Sequence, residues 1–125
     1  MSQDVVSDGL NIMMNMKRAR KSYVILKRYS VLLINVLKVA KEEGYIKNLE
    51  LDEKSKELKV EFKFNACKAI KPRFNVKVER IERYVRRYLP SRNFGIIILS
   101  TSKGLITHKE AIDKKIGGSL IAYFY

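Results

Sequence analysis

Residues 58–64 constrain the fold more than any other stretch of this chain. Leu58, Val60, Phe62 and Phe64 alternate strictly with Lys59, Glu61 and Lys63. Strand side chains point to opposite faces with a period of two, so this segment predicts a strand with one buried and one wet face. Residues 45–52 form its partner, and Asp52-Glu53-Lys54-Ser55 between them has turn chemistry. A lone hairpin is marginal in water and needs other elements packed over its apolar face.

The preceding residues supply that cover. Residues 4–16 read as a helix capped by Asp4, with Asp8 near its positive end. Val6, Leu10 and Met13 share one face with Met14 beside them, and Gly9 weakens the helix modestly. The methionines at 13, 14 and 16 read as adaptable core. Tyr23-Val24-Ile25-Leu26 has strand composition. Ser30 caps a second helix, residues 31–43, which ends at Gly44 and buries Leu33, Val36, Leu37 and Ala40. Residues 1–66 are therefore expected to form an α-β-α-β-β lobe, two helices covering one side of a three-stranded sheet.

A second lobe is expected over residues 67–125. Pro72, in Ile70-Lys71-Pro72-Arg73-Phe74, suits the start of an edge strand, and Phe74, Val76 and Val78 alternate with Asn75 and Lys77. Residues 79–88 are helical by pattern, with Ile81, Tyr84, Val85 and Tyr88 on one face and Arg80, Arg83, Arg86 and Arg87 around the rest. Leu89-Pro90 ends it. A strand over 95–99 enters the turn Ser100-Thr101-Ser102-Lys103-Gly104, and Leu105 and Ile106 return as its partner. Thr107-His108-Lys109-Glu110 reads as a capping box for a short helix to about Lys115, stopped by Gly117-Gly118. Residues 120–125 are a last buried strand. The expected class is α+β, two small packed α/β lobes, the C-terminal one mostly β with short helices.

Charge narrows the function. Lys and Arg number 26 against 13 Asp and Glu, a formal net charge of +13. Such an excess favours polyanion partners. No apolar run approaches the ~18–20 residues that span a membrane, and the first ten residues carry Asp4 and Asp8 where a secretory signal would carry a basic region. A soluble, cytoplasmic protein is expected, with no membrane partner. The one cysteine, Cys67, allows no intrachain disulfide.

Catalysis and metal binding find little support. One Cys and one His, His108, do not make a zinc site. His108 lies inside the capping box, where a satisfied or solvated surface histidine is the expected state. Ser100-x-x-Lys103 matches the S-x-x-K of serine acyl enzymes, but it crosses a strand into a turn and lacks the companion S-D-N and K-T-G. Gly104 lacks the upstream glycine and the G-K-[ST] order of a phosphate loop. No cofactor or small-molecule substrate is expected.

RNA binding fits better. Ser100, Thr101 and Ser102 offer short donors and acceptors that can meet a 2′-hydroxyl, a base edge or a phosphate. A-form RNA presents such groups in its shallow minor groove and at bulges. Lys103 adds a phosphate contact, and Gly104 lets the backbone approach. The basic run Lys17, Arg18, Arg20, Lys21, Lys27 and Arg28, in a stretch with no acid between Asp8 and Glu42, suits a phosphate backbone.

Residues 95–111, GIIILSTSKGLITHKEA, followed by residues 116–125, IGGSLIAYFY, carry a strong resemblance to the universal ribosomal protein family numbered eight in the small subunit. Asp4, Asp8, Leu10 and Asn15, Ser30 through Leu37, and Glu42-Glu43-Gly44-Tyr45-Ile46 match more loosely. Residues 70–74 and Leu89-Pro90-Ser91-Arg92-Asn93-Phe94-Gly95 resemble its archaeal and eukaryotic branch. The resemblance implies a non-enzymatic primary binder of the small-subunit ribosomal RNA central domain that aids assembly, with neighbouring small-subunit proteins as partners and no obligate homo-oligomer. It assigns RNA contacts to Ser100, Thr101, Ser102, Lys103 and Gly104, with Gly118 allowing close approach. Backbone contacts fall to Asn15, Lys17, Arg18 and Ser30. Three positions depart from the family pattern: Val5 replaces a proline, Val31 a common lysine, and Ser119 a residue that is usually charged. The same surface would serve an extra-ribosomal RNA regulator, such as a translational repressor, and the residues alone leave both open.

Overall fold

The computed structural model describes residues 5–70, 75–91 and 94–125. The Asp4 cap and the strand entry expected at Pro72 and Phe74 lie outside them. Helix α1 spans Val5–Arg18 and buries Val6, Leu10 and Met13. Strand β1, Tyr23–Leu26, alternates exposed and buried. Helix α2, Val31–Glu42, buries the four expected residues Leu33, Val36, Leu37 and Ala40. The hairpin consists of β2, Ile46–Asp52, and β3, Glu57–Phe62. Its turn is closed by Asp52, whose Oδ1 accepts from Lys54 N at 3.0 Å. The three strands form one antiparallel sheet in the order β1-β3-β2.

The second sheet comprises β4, Cys67–Ala69; β5, Asn75–Val76; β6, Ile96–Thr101; β7, Gly104–Thr107; and β8, Gly118–Phe124. Its order is β4-β8-β6-β7, with β5 paired to β8. A 3-10 turn, Val78–Arg80, leads into α3, Ile81–Tyr88, so the helix expected from residue 79 begins tighter than an α-helix. Helix α4 spans His108–Lys114.

Residues 96–99 are apolar without interruption because β6 is buried on both faces. Ile96 and Ile98 join the core formed by α1, α2 and the first sheet. Ile97 and Leu99 join a second core with Ile81, Val85, Ala111 and Leu120. The first core also takes Cys67, Ala69, Ala122 and Phe124, so the helices α1 and α2 are covered by the second sheet as well as the first. Phe64 ties the two sheets, with ring centroids 4.9 Å from Phe62 and 5.9 Å from Phe124.

Helix α4 stops differently from the expectation. Lys115 turns left-handed at φ 56°, and Ile116 N donates to Ala111 O at 3.0 Å. This closes the helix two residues before Gly117 in a Schellman-type arrangement. Gly117 and Gly118 serve packing instead: a Cβ on Gly117 would lie 2.3 Å from Val76 O, and one on Gly118 2.5 Å from Ser100 O. They let β5 and β6 close against β8.

Candidate nucleic-acid interface

The β6–β7 hairpin presents the hydroxyl turn. Thr101 pairs with Gly104 across a two-residue turn of Ser102 and Lys103. Gly104 has φ 103°, which L side chains adopt only with strain, and open space around the position of its absent Cβ. The turn is locked by one side chain. Thr101 Oγ1 accepts from Lys103 N at 3.1 Å and donates to Gly104 O at 2.9 Å. Thr101 thus spends its hydroxyl on the hairpin. Ser102 and Lys103 are exposed at the tip and Ser100 is half-buried. Among the described residues, neither the Ser100 nor the Ser102 hydroxyl has a hydrogen-bond partner.

Pairing brings further polar groups beside them. Ser100 sits opposite Ser119 across β6 and β8, and Ser119 sits opposite Asn75 across β8 and β5. The three make a polar row across three strands. The row opens on a groove of about 820 Å³ lined also by Thr101, Ser102, Lys77 and Glu79. Gly117 and Gly118 form part of its floor. Asn75, Lys77 and Glu79 were not singled out from sequence. Asn75 and Lys77 stood at the wet positions of an alternating segment and Glu79 at the start of the expected helix, but the pairing of Asn75 to β8 was not readable. Ser119, the departure after Gly-Gly, puts a neutral hydroxyl in the row instead of a charge.

The four N-terminal candidates do not line this groove. Asn15, Lys17 and Arg18 lie on the last turn of α1, with Asn15 and Arg18 exposed. Ser30 is the N-cap of α2, and its Oγ accepts from Leu33 N at 3.2 Å. Val31 beside it is 75% exposed, an apolar surface where a charge is the commoner choice. Arg28 is engaged with Asp8 at 3.4 Å in an exposed pair.

His108 is buried rather than solvated. Ile97 N donates to its Nδ1 at 3.1 Å, so the proton of the neutral ring sits on Nε2. Burial, aided by Lys109, pushes its pKa down to about 4. The ring is neutral at pH 7 and ties α4 to β6. Thr107 Oγ1 accepts from Glu110 N at 3.3 Å, the Thr half of the expected capping box. Burial pushes the Cys67 thiol up to about 12, which leaves it unreactive. Among the described residues no group of three His, Cys, Asp or Glu could hold a metal ion, and no helix is long and apolar enough to cross a membrane.

The sequence pattern of the family described as Ribosomal protein S8 matches residues 4–125. The chain is similar to "Small ribosomal subunit protein uS8" of Nanoarchaeum equitans, 46% identical over 129 aligned residues that cover all of both chains. It is 44% identical to the protein of the same description from Picrophilus torridus, again over the full length of both. Both relatives are archaeal, in line with the branch indicated by residues 89–95. The family is one of structural ribosomal proteins rather than enzymes. On this full-length agreement the chain belongs to the ribosomal protein S8 family.

Proposed function

We propose that this protein is a structural constituent of the small ribosomal subunit that binds the central domain of its ribosomal RNA directly and helps that domain fold. The observation that carries this is the polar row Ser100–Ser119–Asn75 beside the Ser102-Lys103 tip, opening on one groove. It offers hydroxyl and amide groups at strand spacing on a rigid sheet. Such neutral donors and acceptors can read a minor-groove edge or a bulged base. Lys103 at the exposed turn tip and Lys77 in the groove lining supply phosphate contacts, and the Glu79 carboxylate in the same lining repels phosphate.

Labour divides between lobes in this account. Residues 67–125 read shape through Ser100, Ser102 and the close surface at Gly118, with Thr101 and Gly104 holding the turn. Residues 1–66 hold backbone through Asn15, Lys17, Arg18 and the α2 start at Ser30. The protein acts in the cytoplasm as part of the ribosome, beside other small-subunit proteins.

The test is Ser102→Ala. Its hydroxyl is exposed and unpartnered in the free protein, so the change leaves folding intact. Affinity for the cognate RNA is expected to fall by about 1–3 kcal/mol, since a buried RNA group loses its partner. Affinity for an unrelated RNA duplex stays the same. Equal loss on both RNAs, measured by filter binding, would remove the turn from selective recognition.

A further inference from the structure

The chain carries +13, yet the outer face of the β1-β3-β2 sheet is not basic. Tyr23 and Ile25, on the outer side of β1, are 48% and 47% exposed. These are two of the six large apolar residues exposed among the described residues. Cross-strand register builds the face in rows: Tyr23–Glu61–Asn48, then Ile25–Lys59–Glu50, then the pair Glu57–Asp52. Lys59 is drawn aside, its Nζ 5.6 Å from the Tyr23 ring centroid. A groove of about 650 Å³ runs here, lined by Ile25 and Leu51 together with Glu50, Asp52, Glu53 and Glu57 against Lys54 and Lys59.

Tyr23 and Ile25, flanked by the carboxylates of Glu50, Asp52, Glu57 and Glu61, make an unpartnered sheet face with a chemical preference. Phosphates and anionic headgroups are repelled by its carboxylates. A second copy of this chain is repelled by the shared net charge. A cationic polypeptide is attracted by the carboxylates and can cover the apolar residues. We infer that this face docks an extended Lys/Arg-rich segment of another protein, with aliphatic side chains over Tyr23 and Ile25 and cations on Glu50, Asp52 and Glu57. The site lies on the side of the first sheet away from α1 and α2, and the hydroxyl turn belongs to the second sheet. It therefore does not depend on the RNA interface.

The full isotope-labelled chain is titrated with a capped ten-residue peptide of alternating Arg and Leu, and amide shifts are followed by NMR. The strongest shifts are expected at Tyr23, Ile25, Glu50, Leu51 and Glu57, with none at Ser100–Gly104. The double change of the exposed Glu50→Gln and the half-buried Glu57→Gln is expected to weaken binding about five-fold or more. Ile25→Ser is expected to weaken the Arg–Leu peptide but not an Arg–Ser peptide. Four outcomes overturn the inference. These are shifts spread equally over Glu42, Glu79 and Asp113, unchanged affinity in the double variant, a single-stranded RNA oligomer that shifts the same amides, and self-association through this face in sedimentation.

Discussion

At Gly104 and Gly118 the same residue type answers two different demands. Gly104 needs backbone freedom, since φ is 103° and nothing crowds it. Gly118 needs room, since Ser100 O would lie 2.5 Å from a Cβ. Gly104→Ala is therefore expected to cost about 1 kcal/mol in urea denaturation. Gly118→Ala forces β6 from β8 and should cost about 3 kcal/mol, at the upper end for overpacking. His108 gives a pH signature. Unfolded, it takes a proton as pH falls through 6.5, while folded it resists until about 4. Its contribution to stability is complete above pH 6.5 and declines by about 3 kcal/mol on going down to pH 4. Comparing wild type with His108→Gln by urea denaturation across that window should show the extra slope in wild type alone. Sequence placed this ring in a capping box, but its burial depends on Ile97 of another strand.

Elements differ in how openly the sequence announced them. Helices α1 and α2 and the β2–β3 hairpin carry one wet and one buried face, so period alone revealed them. Strand β6 was visible as an apolar run, but its two-sided burial follows from a second core that only the pairing with β8 creates. Strand β4 is three residues long with a lysine at its centre, too short for a period to show. The end of α4 near Lys115 was legible but its cause was not, because a lysine occupies the left-handed position where Gly is usual. Two helix ends lead to further tests. Ser30→Ala should cost about 1 kcal/mol of stability and Ser30→Gly only a few tenths, because the serine is an N-cap. A loss of RNA affinity in both variants, beyond their stability difference, would support the proposed Ser30 contact. On α1, Lys17→Ala should lower the slope of log affinity against log salt by about one, without changing the preference for cognate RNA.

Over the whole molecule, charge is distributed rather than uniform. Basic residues dominate the α1 end and the α3 surface, while carboxylates gather on the outer face of the first sheet. Residues 1–66 and 67–125 share the first core, so mobility of one lobe against the other is opposed by Phe64, Phe124 and the strands between them. Lobes joined through one core would hold the proposed backbone contacts and the proposed shape-reading turn at one fixed separation. That geometry is what direct binding to a folded RNA helix requires. The polar row at the groove could not be read from sequence because its members come from residues 75, 100 and 119, which lie apart until three strands pair. The most direct measurement is hydroxyl-radical footprinting of this protein on naked small-subunit ribosomal RNA. The account predicts one compact protected helix and internal loop in the central domain, with Ser102→Ala losing the loop protection first. Protection scattered over many helices, or a footprint that Ser102→Ala leaves unaltered, would contradict it.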